Sequence, residues 1–312
     1  PRRLRPSSVF TPLKHTAVSL FSSRSIKAHA SMQSRERAGL HLELILRGYM
    51  ETALAVGTLA RPALRAQTVS PAPPCNVVIL TVGWTGSSML AGLLRAAGFW
   101  TGTTVRNTDY DTFENAELVR LNRKLLTMAG IGEGYATQFH PEWHARVERL
   151  AHTVNRSQFT AFIDECGRHA PWLWKDPRLW VTIGFWRKLL PAENVSYLLL
   201  TREALQAWIS CTLRRQIQTF GHLRRYNAST EGAMRRFLAD QNAQHLHIVY
   251  EDLQLSTDRE LARLSKFLKT PVTLDHLLAI HDSGRLNRRN RGIKDFCKAV
   301  LIHAKNYRER LR

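Results

Sequence analysis

From Cys75 onward the chain predicts an α/β fold with a mostly parallel central sheet. Two observations carry that prediction. Apolar, strand-like runs at Asn76 to Val82, Val195 to Thr201 and Leu246 to Tyr250 are separated by long stretches of helical apolar spacing. The first of these runs, in "VVILTVGWTGSSMLAGLL" (Val77 to Leu94), then passes through a turn bracketed by Gly83 and Gly86 straight into a helix.

That first helix, Ser87 to Ala97, places Met89, Leu90, Leu93 and Leu94 on one face. Helices are next expected at Asn115 to Met128 and Glu142 to Val154, followed by a short strand at Trp172 to Trp174. Pro177 then restricts Asp176 to extended backbone and starts a helix over Leu179 to Leu190. Beyond the strand ending at Thr201, the apolar spacing predicts helices over Leu205 to Arg224, Gly232 to Asn242 and Asp258 to Leu268. A final helix is expected at Lys294 to Arg310, in a tail that carries ten basic and two acidic residues from Arg285. No internal repeat is visible.

Residues 1–74 have a different character. The first 35 hold seven Lys or Arg, many serines and no acidic residue. This is the composition of an organellar transit segment, or of sequence upstream of a later start at Met32 or Met50. The proline-rich "SPAPPCN", Ser70 to Asn76, marks the boundary, so 75–312 is expected to fold as one domain behind a basic extension. The whole chain has 45 basic and 25 acidic residues, a formal charge of +20 that favours anionic partners. Its four cysteines are scattered with no CxxC pair, so neither a zinc site nor a disulfide framework is expected. A reducing compartment, cytoplasmic or organellar, is the default. No apolar run is long enough to cross a membrane.

Three stretches carry chemistry. The turn "VGWTGSS" opens a helix, and backbone N–H groups with serine hydroxyls at such a point suit a phosphate-type anion. It is no Walker A motif, because Ser87 stands where the lysine of GxxxxGK[ST] is needed and the glycines are too close. The second stretch is "WKDPRL", where Lys175 is presented from a strand end, the edge at which parallel sheets bind ligands. The third is "TREALQAWIS", with Arg202 ending a buried strand and Ser210 two turns into the next helix. Both could reach one anionic group. Read singly, each stretch also suits an ordinary turn, a solvated charge cluster or a tryptophan core.

Together, in this order and spacing, the three stretches resemble sulfotransferases that use 3′-phosphoadenosine-5′-phosphosulfate. The likeness is strongest to the bacterial-type branch with an HRSGTS loop, a GHWEN-like element and a WKDPRL element. "DTFEN", Asp111 to Asn115, takes the middle place, and "IVYEDL", Ile248 to Leu253, with "LARLSKFL" matches the late strand and helix. The resemblance covers about residues 75 to 285. It implies a three-layer fold like that of P-loop NTPases and transfer of a sulfuryl group to a hydroxyl or amine of a carbohydrate or small molecule. Trp84, Thr85, Gly86, Ser87 and Ser88 would then hold the 5′-phosphosulfate, and Arg202 with Ser210 the 3′-phosphate. Lys175 would neutralise the leaving oxygen, Glu114 would take the acceptor's proton, and no metal is implied.

The chain departs from that pattern at two points. Trp84 stands where the loop carries an arginine or lysine, leaving Lys175 to supply the cation. Ala204 stands where a proline usually follows the second motif's arginine, and its neighbour is the acidic Glu203. Two other readings stay open: a P-loop kinase or other nucleotide-binding protein, and a non-catalytic basic protein that binds polyanions. Nucleic acid is not the expected partner. Acceptor loops are expected at Gly130 to Trp143 and Gly221 to Thr230, and Arg214, Arg215, Arg224 and Arg225 with Arg288, Arg289 and Arg291 could ring the cleft.

Overall fold

In the computed structural model, residues 75–107, 110–191, 194–281 and 292–310 are described. The basic extension 1–74, its boundary at Pro71 to Pro74, and Arg288, Arg289 and Arg291 lie outside them.

β1 (Asn76–Leu80) lies inside a four-stranded sheet with β4 (Leu173–Lys175), β5 (Val195–Thr201) and β6 (His245–Val249), in the order β4-β1-β5-β6 with every pair parallel. Alternation along β1 decides which residues face which layer. Val78 and Leu80 join Trp174, Tyr197 and Leu199 on one face, while Val77 and Ile79 join Leu173, Leu198 and Leu200 on the other. Both faces are covered, as the continuous apolar strands require.

The second face is covered by α1 (Ser87–Ala96), which turns back along the sheet from the loop after β1, and by helices late in the chain. Those are α8 (Tyr250–Leu255), α9 (Thr257–Leu268) and α10 (Leu274–His281). The first face carries α2 (Ala116–Met128), α3 (Glu142–Thr153), α4 (Ser157–Arg168), α5 (Leu179–Arg187) and α7 (Phe220–Asp240). Its core is aromatic: Trp174, Trp180, Trp186, Phe159 and Phe185 are fully buried, with Trp174 and Trp186 edge to face at 4.9 Å. The tryptophans flanking Lys175 are therefore core residues, not ligand contacts.

The predicted strands and most predicted helices recur, but Gly232 to Asn242 is not a helix of its own, being the continuation of α7, and there are other differences. A hairpin of β2 (Thr104–Arg106) and β3 (Asp111–Asn115) precedes α2, and Asn115 is the cap of α2, its Oδ1 accepting from the N–H groups of Glu117 and Leu118. Helices α4, α8 and α10 were not expected, although Phe159, Phe162, Ile163 and Cys166 of α4 follow helical apolar spacing. The expected helix over Leu205 to Arg224 is two helices: α6 (Ala204–Leu213) stops, and α7 begins at Phe220. Arg215 adopts φ 65°, its N–H donates to Thr212 O, and Gln216 N–H donates to Cys211 O. That is a Schellman turn closed by an arginine where glycine is the usual signal, so composition conceals it. Thr219 then caps α7 through its Oγ1. Gly221 to Thr230 consequently lies inside α7, and the acceptor loop expected there does not exist. α11 (Ile293–Arg310) packs its Ala299 and Phe296 against Trp208 of α6.

Candidate active site

The chain leaves β1 toward β4 on one side and then crosses to β5 on the other, so β1 sits at a topological switch point. Ligand crevices form outside the carboxyl ends of strands at such points. Here β1 delivers the Gly83–Ser88 turn, β4 delivers Lys175, and β5 delivers Arg202 to a cleft of about 440 Å³. Glu114, Ser210, Arg214 and Tyr250 also line it.

The turn is braced from within. Thr85 is buried, its Oγ1 donating to Val82 O at 3.0 Å and meeting Thr81 Oγ1 at 2.5 Å, so its side chain supports the turn and does not face the cleft. Gly86 has φ 83°, and a Cβ there would enter the Tyr250 ring, 2.8 Å from Cζ and nearer still to Cε2 and Cδ2. No side chain caps α1, whose first turn contains no acidic residue. With Ser87 and Ser88 beside it, that helix end offers donors and a favourable dipole to an anion.

Lys175 is almost wholly buried, and its three protons are all engaged: with Glu114 Oε1 at 2.6 Å, Thr112 O at 3.1 Å and Ser88 Oγ at 3.3 Å. Such a burial is tolerable because an ion pair and two further acceptors satisfy the charge. Glu114 reaches it through a kink in β3. Phe113 there has φ 56°, and the hairpin register shifts between Thr104 and Arg106. Irregularities of this kind re-aim side chains beside active sites. Lys175 thus touches both Ser88 of the turn and a carboxylate.

The rest of WKDPRL is scaffold. Asp176 is fully buried, pairs with Arg178 Nη1 at 2.9 Å, caps the Arg178 N–H at 3.0 Å and accepts from Asn122 Nδ2 at 2.8 Å. Asn122 Oδ1 in turn accepts from Thr182 Oγ1 and Trp186 Nε1. Arg178 lies over the Tyr135 ring at 5.0 Å. Burial pushes the Tyr135 phenol up to about 12, a shift that nearby Arg178 opposes.

Arg202 extends under the turn, donating from Nη1 to Trp84 O at 3.1 Å and from Nε to Glu251 Oε1 at 3.3 Å, with Tyr250 beneath its guanidinium at 4.5 Å. Glu251 also accepts from the Glu203 N–H at 3.0 Å. Trp84 itself has φ 68° and donates from Nε1 to Gln216 Oε1 at 2.7 Å. All nine sequence-predicted site residues are brought to this one edge of the sheet, eight lining the cleft and Thr85 buried within the turn. Arg214 of the suggested basic ring also lines the cleft, whereas Arg215, Arg224 and Arg225 do not. Asn122, Tyr110, Tyr250 and Glu251 were not foreseen. Only Glu251 had a sequence signal, as an acidic residue directly after a strand.

A family model described as "Sulfotransferase family" matches residues 76–274. Among solved structures, the chain is similar to the sulfotransferase domain of the curacin biosynthetic pathway, at 17% identity over 73% of this chain and 83% of that one, with a TM-score of 0.41. The sulfotransferase domain of the Synechococcus PCC 7002 olefin synthase matches at 15% identity over 78% and 98%, TM-score 0.40. A sulfotransferase from Mycobacterium avium matches at 13% over 75% and 77%, TM-score 0.39. No curated protein sequence matches the chain. The family match runs from β1 to the start of α10 and takes in every side chain placed at the cleft, and the chain belongs to the sulfotransferase family.

Proposed function

We propose that this sulfotransferase takes its sulfuryl group from 3′-phosphoadenosine-5′-phosphosulfate and delivers it to a hydroxyl or amine of a carbohydrate or small molecule. The observation that carries the proposal is Lys175, whose Nζ is within hydrogen-bonding reach of both Ser88 of the anion-binding turn and Glu114. The first turn of α1 holds the phosphosulfate, and Arg202 with Ser210 holds the 3′-phosphate. Glu114 takes the proton from the acceptor as the acceptor atom bonds to sulfur and the bond from sulfur to the bridging oxygen breaks. Lys175 stabilises the charge left on that oxygen, releasing the longest of its three contacts, to Ser88, to reach it. Such transfer asks for positioning and charge stabilisation, and no further group on the protein is needed.

Calorimetry with adenosine 3′,5′-bisphosphate, ATP and a sulfated polysaccharide tests this reading. Selective binding of the bisphosphate is expected, together with transfer that Lys175→Ala abolishes. Preference for ATP would favour a kinase. Binding only of the polysaccharide, with steep salt dependence, would favour the polyanion reading that the charge of +20 supports.

A further inference from the structure

The α6 wall of the cleft carries a cation that the reaction outlined above leaves idle. Arg214 is the C-cap of α6, one helical turn beyond Ser210, so the two lie on the same face. Its guanidinium carbon is 5.1 Å from the Trp84 ring centroid and 5.3 Å from that of Tyr110, and Nη1 donates to Tyr110 Oη at 2.8 Å. Lys175 and Arg202 both face carboxylates, but among the described residues none pairs with Arg214.

The seat is built from both sides. The Schellman turn at Arg215 ends α6 at this point and brings in Gln216, which fixes the Trp84 indole by its Nε1. Trp84 in turn has its backbone oxygen on Arg202. Two ring faces restrict a side chain that would otherwise sample many rotamers, at a cation–π gain typical of exposed sites. Arg202, Ser210 and Arg214 thus form one wall, in which Glu251 at 3.3 Å opposes the charge of Arg202. A phosphate monoester carries between one and two negative charges at neutral pH. Arg214 leaves the wall with a net positive charge to set against it.

We propose that Arg214 is a second guanidinium for the phosphate monoester of the nucleotide donor, acting with Arg202 and Ser210 and positioned by the Trp84 and Tyr110 rings. The proposal rests on the donor reading above and adds to it a residue that governs selection for the 3′-phosphate.

The test is calorimetry on the full chain with adenosine 3′,5′-bisphosphate and adenosine 5′-phosphate. Arg214→Ala is expected to weaken the bisphosphate about tenfold or more, the scale of one charge-assisted contact, and to leave the 5′-phosphate within about twofold. Arg214→Lys keeps the charge without the planar fork and should recover only part of the loss. Trp84→Leu, which removes a ring and keeps the guanidinium, should lose discrimination in the same direction. Unchanged bisphosphate affinity in Arg214→Ala, or an equal loss for both nucleotides, would overturn the role of Arg214 alone. Wild-type protein that binds neither nucleotide would overturn the donor reading and this proposal together.

Discussion

Gly86→Ala should be costly for a reason that can be dissected. The residue sits at φ 83°, where a side chain carries a backbone penalty of roughly 1–2 kcal/mol. The new methyl would also enter the Tyr250 ring. That ring cannot swing away, because it is buried, has Arg202 over its face at 4.5 Å and has its hydroxyl accepting from Gln254 at 2.7 Å. Overpacking a site of this kind costs about 1–3 kcal/mol, so the variant should lose about 2–5 kcal/mol in all. In a Tyr250→Ala background the methyl has room, and the same substitution should cost only the backbone part, about 1–2 kcal/mol. Urea unfolding of the four proteins, compared at constant m, measures both numbers. An equal cost in the two backgrounds would refute the steric argument, and no cost in either would refute the conformation assigned to the turn.

Lys175→Met should abolish transfer and also lower stability by about 3 kcal/mol or more, because Glu114 is left without its partner. Adding Glu114→Gln should restore much of the stability and none of the transfer, as urea melts and a sulfate-transfer assay would show. Asn122→Ala leaves Asp176 Oδ2 and Trp186 Nε1 without their partner and Thr182 Oγ1 with only Arg178 O, and should cost on the order of 3 kcal/mol. A loss below about 0.5 kcal/mol in urea melts would mean that this network does not hold β4 to α5. Trp84→Arg would set a second guanidinium against Arg214 in place of the stacked indole. It should weaken bisphosphate binding and bring no gain in transfer; a tenfold faster reaction in the sulfate assay would contradict this. His144 is held neutral by burial, helped by Arg236, its pKa driven down to about 4 from 6.5. Its contribution is therefore complete above about pH 6.5 and is lost as pH falls toward 4, where the unfolded chain takes up a proton that the folded one refuses, at most about 3 kcal/mol. His144→Phe should flatten the fall of the urea midpoint across that window.

Much of this could be read in the sequence because it depends on local signals. Strand runs with both faces apolar, Gly86 before two serines, and Pro177 after Asp176 each dictate their own backbone. The edge of the sheet that gathers Lys175, Arg202 and the turn follows from parallel strands alone. What the sequence conceals depends on partners distant along the chain. Trp84 looked like a lost cation, and only the fold shows Arg214 lying against its ring. Arg215 in the left-handed region ends a helix that composition would continue. Glu114 stands just before a helix, as its sequence predicts, but the kink at Phe113 that aims it at Lys175 leaves no compositional mark.

The order of the sheet has a consequence for how the chain comes off the ribosome. Val77 pairs with Leu173 on one side and with Ser196 on the other, so β1 emerges long before either neighbour exists. At about 5–20 residues per second, synthesis leaves this strand waiting on the order of ten seconds with two open edges and two apolar faces. Local helices such as α2 and α3 can form meanwhile, but the sheet they cover cannot close until β4 and β5 arrive, a non-local and intrinsically slow step. Until then Val77 to Leu80 is open to mispairing with another chain. The same central position that brings the Gly83–Ser88 turn to the switch point makes β1 dependent on protection during synthesis.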